Sequence, residues 1–260
     1  MDYFSEEHIN PYDTSNPDFW MKIEHLGRYI YAAKRLEKHA KANGSKPLKH
    51  LDIGCANGYG LQELTFNAQK LTPPNLMGVD YNKQILKEAE KALPEATFTH
   101  LNLDELPLTE LENTPFDSLT AFEVLEHLND PQKAVHEIAT VTKSGGMVLA
   151  SFPNPAYERL DETGHPENPY HHHAQTLEES TKMFEDAGFQ VQKILGQPLC
   201  NILFSRERNL HQNGAITEKP FEAPELNTPT RIRDMANLLA WPQNDTLEKS
   251  YTFIFELNKK

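Results

Sequence analysis

The sequence is poor in cysteine, has few basic residues for its length, and contains no long apolar run. Its two cysteines, Cys55 and Cys200, are too few for a disulfide framework or a cysteine metal site. No apolar run reaches the roughly 18 residues that a membrane-spanning helix requires. The first basic residue is Lys22, so the N-terminal region does not resemble a signal or transit peptide. These absences predict a cytoplasmic protein without a membrane partner.

The shortage of basic residues is concentrated in the middle of the chain. The 260 residues hold 25 Lys and Arg against 38 Asp and Glu, which gives a net charge of −13. Residues 51–195 hold 9 basic and 23 acidic side chains, whereas residues 196–260 hold 8 of each. An acidic surface repels phosphate backbones. The charge therefore disfavours a nucleic-acid partner.

Short apolar segments alternate with amphipathic helical segments through most of the chain. Strands are predicted at 48–53, 76–79, 97–103, 116–122, 147–152, 190–195 and 251–257. Helices are predicted between them, and Thr176 begins one of these helices with a capping box to Glu179. The alternation predicts an α/β fold: a Rossmann-like, mostly parallel seven-stranded sheet with helices on both faces. Such sheets bind ligands at the carboxyl ends of their strands.

Two segments fall outside this alternation and suggest a division of the chain. A helix at 18–42 precedes the first strand, and the stretch before the last strand is too long for a plain connection. That stretch holds candidate helices at 201–210 and 229–240. The predicted units are an N-terminal arm and cover helix (1–45), a core (46–195 plus 250–258) and a substrate or lid insert (196–249).

A glycine-rich segment, LDIGCANGYG at 51–60, follows the first strand and leads into a helix. Glycines there let a ligand approach the backbone, and the helix N-terminus offers N–H groups. The dinucleotide pattern Gly-x-Gly-x-x-Gly/Ala fails, because Ala56 and Tyr59 occupy its third and sixth positions. A P-loop fails too, because no Gly-Lys-Ser/Thr follows. Asp52 suits a cationic amine, and Asp80, which ends the second strand, suits a ribose diol. An amine and a ribose with little phosphate describe S-adenosylmethionine.

In its combination of motifs the sequence resembles the class I S-adenosylmethionine-dependent methyltransferases over residues 24–195. The segments that carry the resemblance are 51–60, Gly78-Val-Asp80, LNLDELP at 101–107, FEVLEHL at 122–128, SGG at 144–146 and SFPN at 151–154. The resemblance implies S-adenosylmethionine as cofactor. The implied cofactor-binding residues are Asp52, Gly54, Ala56, Gly58, Asp80, Tyr81, Asn102, Leu103 and Glu123. Two positions depart from the family pattern: Ala56 replaces a glycine, and Asn102 replaces the aspartate that meets the adenine amine, for which Asp104 is an alternative.

A set of acidic and histidine residues follows the fourth strand. Glu123, Glu126, His127 and Asp130 recur at helical spacing, so we expect them to share one helical face at the carboxyl edge of the sheet. The segment PYHHH at 169–173 is expected to return to the same edge. The predicted catalytic residues are His127, Glu126 and His172.

Three roles for this set remain open. His127 or a later histidine acts as general base for a substrate hydroxyl. Alternatively, Glu123, Glu126, His127 and His172 hold a divalent metal that lowers the pKa of a hydroxyl. Resemblance to small-RNA 2′-O-methyltransferases and ubiquinone-pathway O-methyltransferases implies this second role. In the third reading these side chains only line the cofactor pocket.

The expected function is methyl transfer from S-adenosylmethionine to a hydroxyl of a small molecule or glycan. The sulfonium is already a good leaving group, so positioning and desolvation supply most of the acceleration, and only the acceptor needs help to lose a proton. Two alternatives stay open. One is an RNA 2′-O-methyltransferase with a Glu-Glu-His-His metal site, and the other is a methyltransferase-like, non-catalytic partner subunit.

Overall fold

Seven strands form one sheet in the computed structural model, which describes residues 10–12, 23–105, 107–111, 115–197, 214, 228–239, 247 and 250–260. The strands are β1 (His50–Ile53), β2 (Leu76–Asp80), β3 (Thr97–His100), β4 (Phe116–Phe122), β5 (Thr142–Pro153), β6 (Phe189–Gln197) and β7 (Thr252–Lys259). Their spatial order is β3-β2-β1-β4-β5-β7-β6. Only β7 runs antiparallel, between β5 and β6. The predicted seven-stranded, mostly parallel sheet is confirmed.

Six helices accompany the sheet within the described ranges. They are α1 (Ile23–Ala42), α2 (Tyr59–Asn67), α3 (Lys83–Ala92), α4 (Pro131–Val141), α5 (Leu177–Asp186) and α6 (Pro229–Leu239). Side-chain caps begin three of them: Asn82 caps α3, Asp130 caps α4 and Thr176 caps α5. The capping box between Thr176 and Glu179 is present as predicted.

Apolar side chains of the strands alternate between two buried layers. Leu149 of β5 belongs to a cluster that α1, α2 and α6 cover, for example through Leu26. Its neighbour Val148 belongs to the cluster on the opposite face, which α4 and α5 cover with Ile138 and Phe184. Because successive residues of a strand point to opposite faces, one apolar run supplies both layers. Helices on both faces are therefore confirmed.

Several predicted boundaries move in the structure. β3 ends at His100 rather than 103, and the Asn102 side chain then accepts the N–H of Asp104 in a local turn that replaces strand pairing. The predicted helix at 229–240 is α6, which packs on α1. The candidate helix at 201–210 lies outside the described residues.

The described helices include none with the length and apolar character that crossing a bilayer would demand. The N-terminal helix and the helix before β7 contact each other, and Lys34 Nζ donates to Asn237 Oδ1 across that contact at 2.8 Å. The division into arm, core and insert stays a prediction.

Candidate active site

The glycine loop connects β1 to α2 through three left-handed backbone conformations. Gly54, Ala56 and Gly58 have φ of 70°, 46° and 80°. A Cβ added at Gly54 would lie 2.4 Å from Val124 Cγ2, so only glycine fits this close approach. Ala56 takes the same conformation as a non-glycine residue, and its N–H donates to Asp80 Oδ2 at 3.0 Å. The loop is thereby fixed over the carboxyl end of β2.

Asp52 is buried in β1, and hydroxyl groups surround its carboxylate. The Tyr29 hydroxyl lies 3.0 Å from both carboxylate oxygens, and Thr120 Oγ1 donates to Oδ1 at 2.6 Å. Burial raises the pKa of Asp52 to about 7, although both hydroxyl bonds favour the ionised form. Tyr29 also lies against Gly60, where a Cβ would approach its Cζ to 2.1 Å. Asp52 thus joins α1 to the loop, and its contact with a cofactor amine stays a prediction.

The other predicted cofactor residues lie beyond the ends of β2 and β3. Asp80 is 8% exposed, and its Oδ1 accepts the N–H of Asn82 at 2.9 Å. Tyr81 next to it is half exposed. Asn102 and Leu103 follow β3 and are partly buried. These positions share the carboxyl edge of the sheet, as the sequence predicts, and their individual contacts with the cofactor stay predictions.

Asp104, the alternative adenine partner, has a different contact in the structure. Its carboxylate accepts the backbone N–H of Asn129 at 2.9 Å and the side-chain amide of the same residue at 3.0 Å. The loop after β3 is therefore joined to the segment that precedes α4. This contact gives Asp104 a structural explanation that needs no ligand.

A buried acceptor in the glycine loop supports the expected cofactor. Asn57 is 8% exposed, and its Oδ1 has no hydrogen-bond partner among the described residues. Buried polar atoms are normally paired, so an orphaned oxygen in a ligand-binding loop indicates that a ligand donor completes it. The amine of S-adenosylmethionine is such a donor. The residues present fit this cofactor, and Asn57 is a site residue that the sequence motifs did not single out.

The segment after β4 is not the continuous helix that the spacing predicted. Glu123 has a φ of 54°, and a single 3-10 turn, Leu125–His127, follows. Ser151 Oγ donates to Glu123 Oε1 at 2.6 Å, and the Glu123 N–H donates back to Ser151 Oγ at 3.1 Å. Asp130 instead caps α4 by accepting the N–H of Lys133. The predicted single helical face is therefore wrong.

Glu126, His127 and His171 come together at this turn, and their potential metal-ligand atoms lie within 4.8 Å of one another. We call these three residues the Glu126 cluster. Glu126 is 2% exposed, and neither of its carboxyl oxygens has a hydrogen-bond partner among the described residues. His127 Nε2 lies 3.9 Å from Glu126 Oε1. His171, and not the predicted His172, completes the cluster, because the His172 backbone N–H bonds to the Glu126 carbonyl while its side chain is exposed.

Oxygen acceptors orient both imidazoles of the cluster. His127 Nδ1 lies 2.8 Å from the Tyr170 carbonyl, which can only accept, so this nitrogen carries a proton. His171 Nδ1 lies 3.1 Å from Glu158 Oε2, and both side chains are largely buried. A carboxylate on one imidazole nitrogen fixes the orientation of the ring. Glu158 was not singled out in the sequence because it lies in an irregular loop, and Tyr170 was named only as part of the 169–173 segment.

Burial raises the pKa of Glu126 well above its usual range, and the charge of Glu123 adds to this effect. Backbone hydrogen bonding and the charge of Arg28 act in the opposite direction without reversing it. Burial therefore favours the protonated form of this carboxyl group, and an ionised Glu126 would need a cation in the cluster to compensate its charge. This makes the site a natural location for proton transfer or cation binding.

Comparisons with known proteins agree with these features. A family model described as a methyltransferase domain matches residues 23–194. A probable S-adenosylmethionine-dependent methyltransferase of Mycolicibacterium smegmatis is 33% identical over 196 residues, which are 75% of this chain and 72% of that protein. A counterpart of Mycobacterium tuberculosis is 31% identical over 140 residues, 54% of this chain and about half (47%) of its own length. A ubiquinone biosynthesis O-methyltransferase of Alkalilimnicola ehrlichii is 32% identical over 108 residues, 40% of this chain and 41% of that protein.

Solved structures show the same architecture at low sequence identity. An S-adenosylmethionine-dependent methyltransferase of Thermotoga maritima superimposes with a TM-score of 0.57 at 16% identity, covering 97% of this chain and 99% of that one. A [4+2]-cyclase superimposes with a TM-score of 0.52 at 15% identity, covering 86% of this chain and 80% of that one. The fold alone therefore does not define the reaction. The family match and the sequence relatives do, and they show that the chain belongs to the class I S-adenosylmethionine-dependent methyltransferases.

Proposed function

We propose that this methyltransferase methylates a hydroxyl of a small molecule or sugar, and that the Glu126 cluster prepares that hydroxyl. The proposal rests on the buried Glu126 carboxyl group, which lies beside two imidazoles and has no hydrogen-bond partner among the described residues. A hydroxyl must lose its proton as it reacts, so an O-methyltransferase gains from a proton acceptor at this place.

His127 is the group proposed to take the proton. The Tyr170 carbonyl holds a proton on Nδ1, so Nε2 is the nitrogen that accepts, and it faces Glu126. Bound S-adenosylmethionine supplies an electrophilic methyl group. The protein adds positioning and exclusion of water, which need no further catalytic group.

The same cluster also fits a divalent cation. Two imidazoles and one carboxylate form a ligand set used for zinc and related metals, with positions left for water or substrate. A cation there would lower the pKa of a coordinated hydroxyl and would compensate the buried charge of Glu126. The proposed ligands are Glu126, His127 and His171. Glu123, predicted as a fourth ligand, is bonded to Ser151 instead.

Two further observations support a small acceptor. Some relatives that match part of this chain are named as ubiquinone biosynthesis O-methyltransferases. The 23 acidic and 9 basic residues of the 51–195 region oppose the approach of RNA, which disfavours 2′-O-methylation of RNA. The cytoplasmic location and the lid role of residues 196–249 stay predictions.

The proposal is tested with paired acceptors that differ only in the nucleophile. The protein is incubated with S-adenosylmethionine and phenol or cyclohexanol, and separately with aniline or cyclohexylamine, and S-adenosylhomocysteine release is measured. We expect turnover on hydroxyl acceptors only. His127→Asn should lower kcat about 100-fold or more, with cofactor affinity retained.

His136→Asn is the matched control, because His136 is an exposed histidine of α4 whose ring bonds within its own helix. It should leave kcat unchanged. Loss of turnover in EDTA that Mn²⁺ or Zn²⁺ restores would assign the metal role, and insensitivity to EDTA would assign the base role. Methylation of the amines alone, or an unchanged kcat in His127→Asn, would refute the proposal.

A further inference from the structure

His50 of β1 is a histidine buried inside the sheet, between β2 and β4. It is 0% exposed, and burial lowers the pKa of its imidazole to about 3, so the ring is neutral at physiological pH. Its Nδ1 lies 2.9 Å from Ser118 Oγ, and its Nε2 lies 3.0 Å from Thr120 Oγ1, both on β4. A neutral imidazole has one donor nitrogen and one acceptor nitrogen. The two hydroxyl groups therefore have opposite hydrogen-bonding roles towards the ring.

The direction of these hydrogen bonds follows from Asp52, which lies two residues further along β1 and on the same face of the sheet. An ionised carboxylate only accepts, and Thr120 Oγ1 donates its single proton to Asp52 Oδ1 at 2.6 Å. The Thr120 oxygen must then accept from His50, so Nε2 carries the ring proton and Nδ1 accepts from the Ser118 hydroxyl. Every proton therefore points towards the carboxylate. We call these four residues the Asp52 network.

A network with this direction favours the ionised form of Asp52. Each hydrogen bond polarises the next, so Thr120 is a stronger donor when His50 donates to it. Burial raises the pKa of Asp52 to about 7, and the hydrogen bond from Thr120 opposes that rise. The carboxylate consequently titrates close to neutral pH, where the strength of its donors decides what fraction of it is charged.

Other titratable groups reach Asp52 from the elements packed around it. Tyr29 of α1 donates a hydrogen bond that favours the charged form, whereas the charge of Asp80 at the end of β2 disfavours it. Burial raises the pKa of Tyr59 of α2 and of Cys55 in the glycine loop, and the charge of Asp52 adds to both effects, so these two groups stay neutral. The hydroxyl donors, and the histidine behind one of them, therefore stabilise the charge of Asp52.

We infer that His50 is a positioning residue of the cofactor site, which acts through Thr120 to keep the Asp52 carboxylate charged and oriented for the amine of S-adenosylmethionine. An apolar side chain would fill the same place in the sheet without the cost of burying an imidazole, but it would supply no donor to Thr120. The inference rests on the family assignment and on the predicted contact between Asp52 and the cofactor amine. It is independent of the role of the Glu126 cluster.

The direction of the Asp52 network is tested by NMR of the unmodified protein labelled with ¹⁵N-histidine. Long-range ¹H–¹⁵N correlation at about pH 8 distinguishes the two neutral tautomers of each ring, and His50 is identified as the ring that stays neutral to the lowest pH. We expect His50 to be protonated on Nε2. Protonation on Nδ1 would overturn the inference, because Thr120 would then donate to His50 and not to Asp52.

The link to the cofactor is tested by calorimetry with S-adenosylhomocysteine and with 5′-methylthioadenosine, which lacks the amino-acid end. The unmodified protein should prefer the first compound. Thr120→Val should reduce that preference about 10-fold at neutral pH, and the pH at which acidification halves the affinity should rise by about one unit. His50→Leu should reduce the preference about 3- to 10-fold. His50→Gln keeps an N–H donor and should retain most of the preference.

Thr142→Val is the matched control, because it removes a buried hydroxyl from β5 that bonds to the Ile138 carbonyl. It should leave the preference intact. Equal weakening of both compounds by Thr120→Val and His50→Leu would overturn the inference, because the two residues would then only support packing. An unchanged preference in these variants, or no preference in the unmodified protein, would overturn it as well.

Thermal denaturation shows whether each variant folds. Where His50→Leu does not fold, Thr120→Val takes its place, since valine has nearly the shape of threonine, and the NMR measurement needs no variant at all. Neither measurement depends on catalysis, so failure here is distinct from failure of the hydroxyl proposal.

Discussion

Replacing Glu126 with glutamine should stabilise the protein, and the gain should grow with pH. Glu126 is buried, and within the described ranges neither of its carboxyl oxygens has a hydrogen-bond partner, so its ionised form is unfavourable in the native state. Burial raises its native pKa well above the usual range. Glutamine has the size of the protonated side chain and no charge to lose. The substitution therefore removes an ionisable group from the buried site while it preserves the packing.

The direction in which stability changes with pH follows from the pKa values of this carboxyl group in the unfolded and native states. In the unfolded chain a glutamate titrates near about 4.3, whereas the native carboxyl group keeps its proton to higher pH. Native stability from this group is therefore complete below the unfolded pKa and is lost as pH rises toward the native value. The loss is about 1.4 kcal/mol per pH unit within the interval between these two pKa values.

Glu126→Gln does not incur this loss, so its stability advantage over the unmodified protein should widen by that amount across the interval. For a chain of this size each kcal/mol of that difference corresponds to about 2–4 °C in Tm. Burial also raises the pKa of Asp52, to about 7, but this titration occurs in both proteins and cancels in the comparison.

The assay is thermal and urea denaturation of both proteins in steps from pH 5 to pH 8, without divalent cations. A second series contains Mn²⁺, which should stabilise only the unmodified protein if the cluster binds it, by about 2.7 kcal/mol at a concentration of 100 times Kd. Parallel pH curves for the two proteins would refute the reasoning, because Glu126 would then ionise as readily in the native state as in the unfolded one.

Three further substitutions test the packing around the site, each by urea denaturation at neutral pH. Tyr29→Phe removes the hydroxyl that meets both Asp52 oxygens and should cost about 1–3 kcal/mol, because a buried acceptor loses its donor. Gly60→Ala places a methyl 2.1 Å from Tyr29 Cζ and should cost at least about 1–3 kcal/mol through overpacking. Thr176→Ala breaks the capping box with Glu179 and should cost about 1 kcal/mol, with S-adenosylmethionine affinity unchanged. An unchanged free energy of unfolding in any of these variants would contradict the contact on which its prediction rests.

Local patterns were sufficient to predict the sheet and the glycine loop. Three features lie within about thirty residues of one another: the apolar segment of β1, the glycines that follow it and the aspartate that ends β2. Each is determined by residues that are close in the sequence, so local patterns predict it. The capping box at Thr176 is likewise decided within four residues. Such features need no tertiary contact to be recognised.

The candidate reaction site depends on contacts between segments that are distant in the chain, and local patterns do not predict such contacts. Three consecutive histidines lie in an irregular loop, and no periodicity distinguishes His171 from His172. The structure selects His171 because Glu158 holds its ring, while the backbone of His172 bonds to Glu126. The helical spacing of the acidic residues was misleading, because the left-handed conformation of Glu123 interrupts the segment.

Arg28 illustrates the same limit more sharply. Its burial becomes visible only when α1 is packed against the sheet, where Arg28 Nη1 donates to Gln197 Oε1 at 2.8 Å.

The central claim is that the Glu126 cluster prepares a hydroxyl for methylation. The most direct measurement is the ¹³C NMR spectrum of the product formed from [methyl-¹³C]-S-adenosylmethionine and a competing mixture of the hydroxyl and amine acceptors. The account predicts O-methyl resonances with the unmodified protein and their loss in His127→Asn, with cofactor binding preserved. N-methyl or C-methyl products, or undiminished O-methylation by that variant, would contradict it.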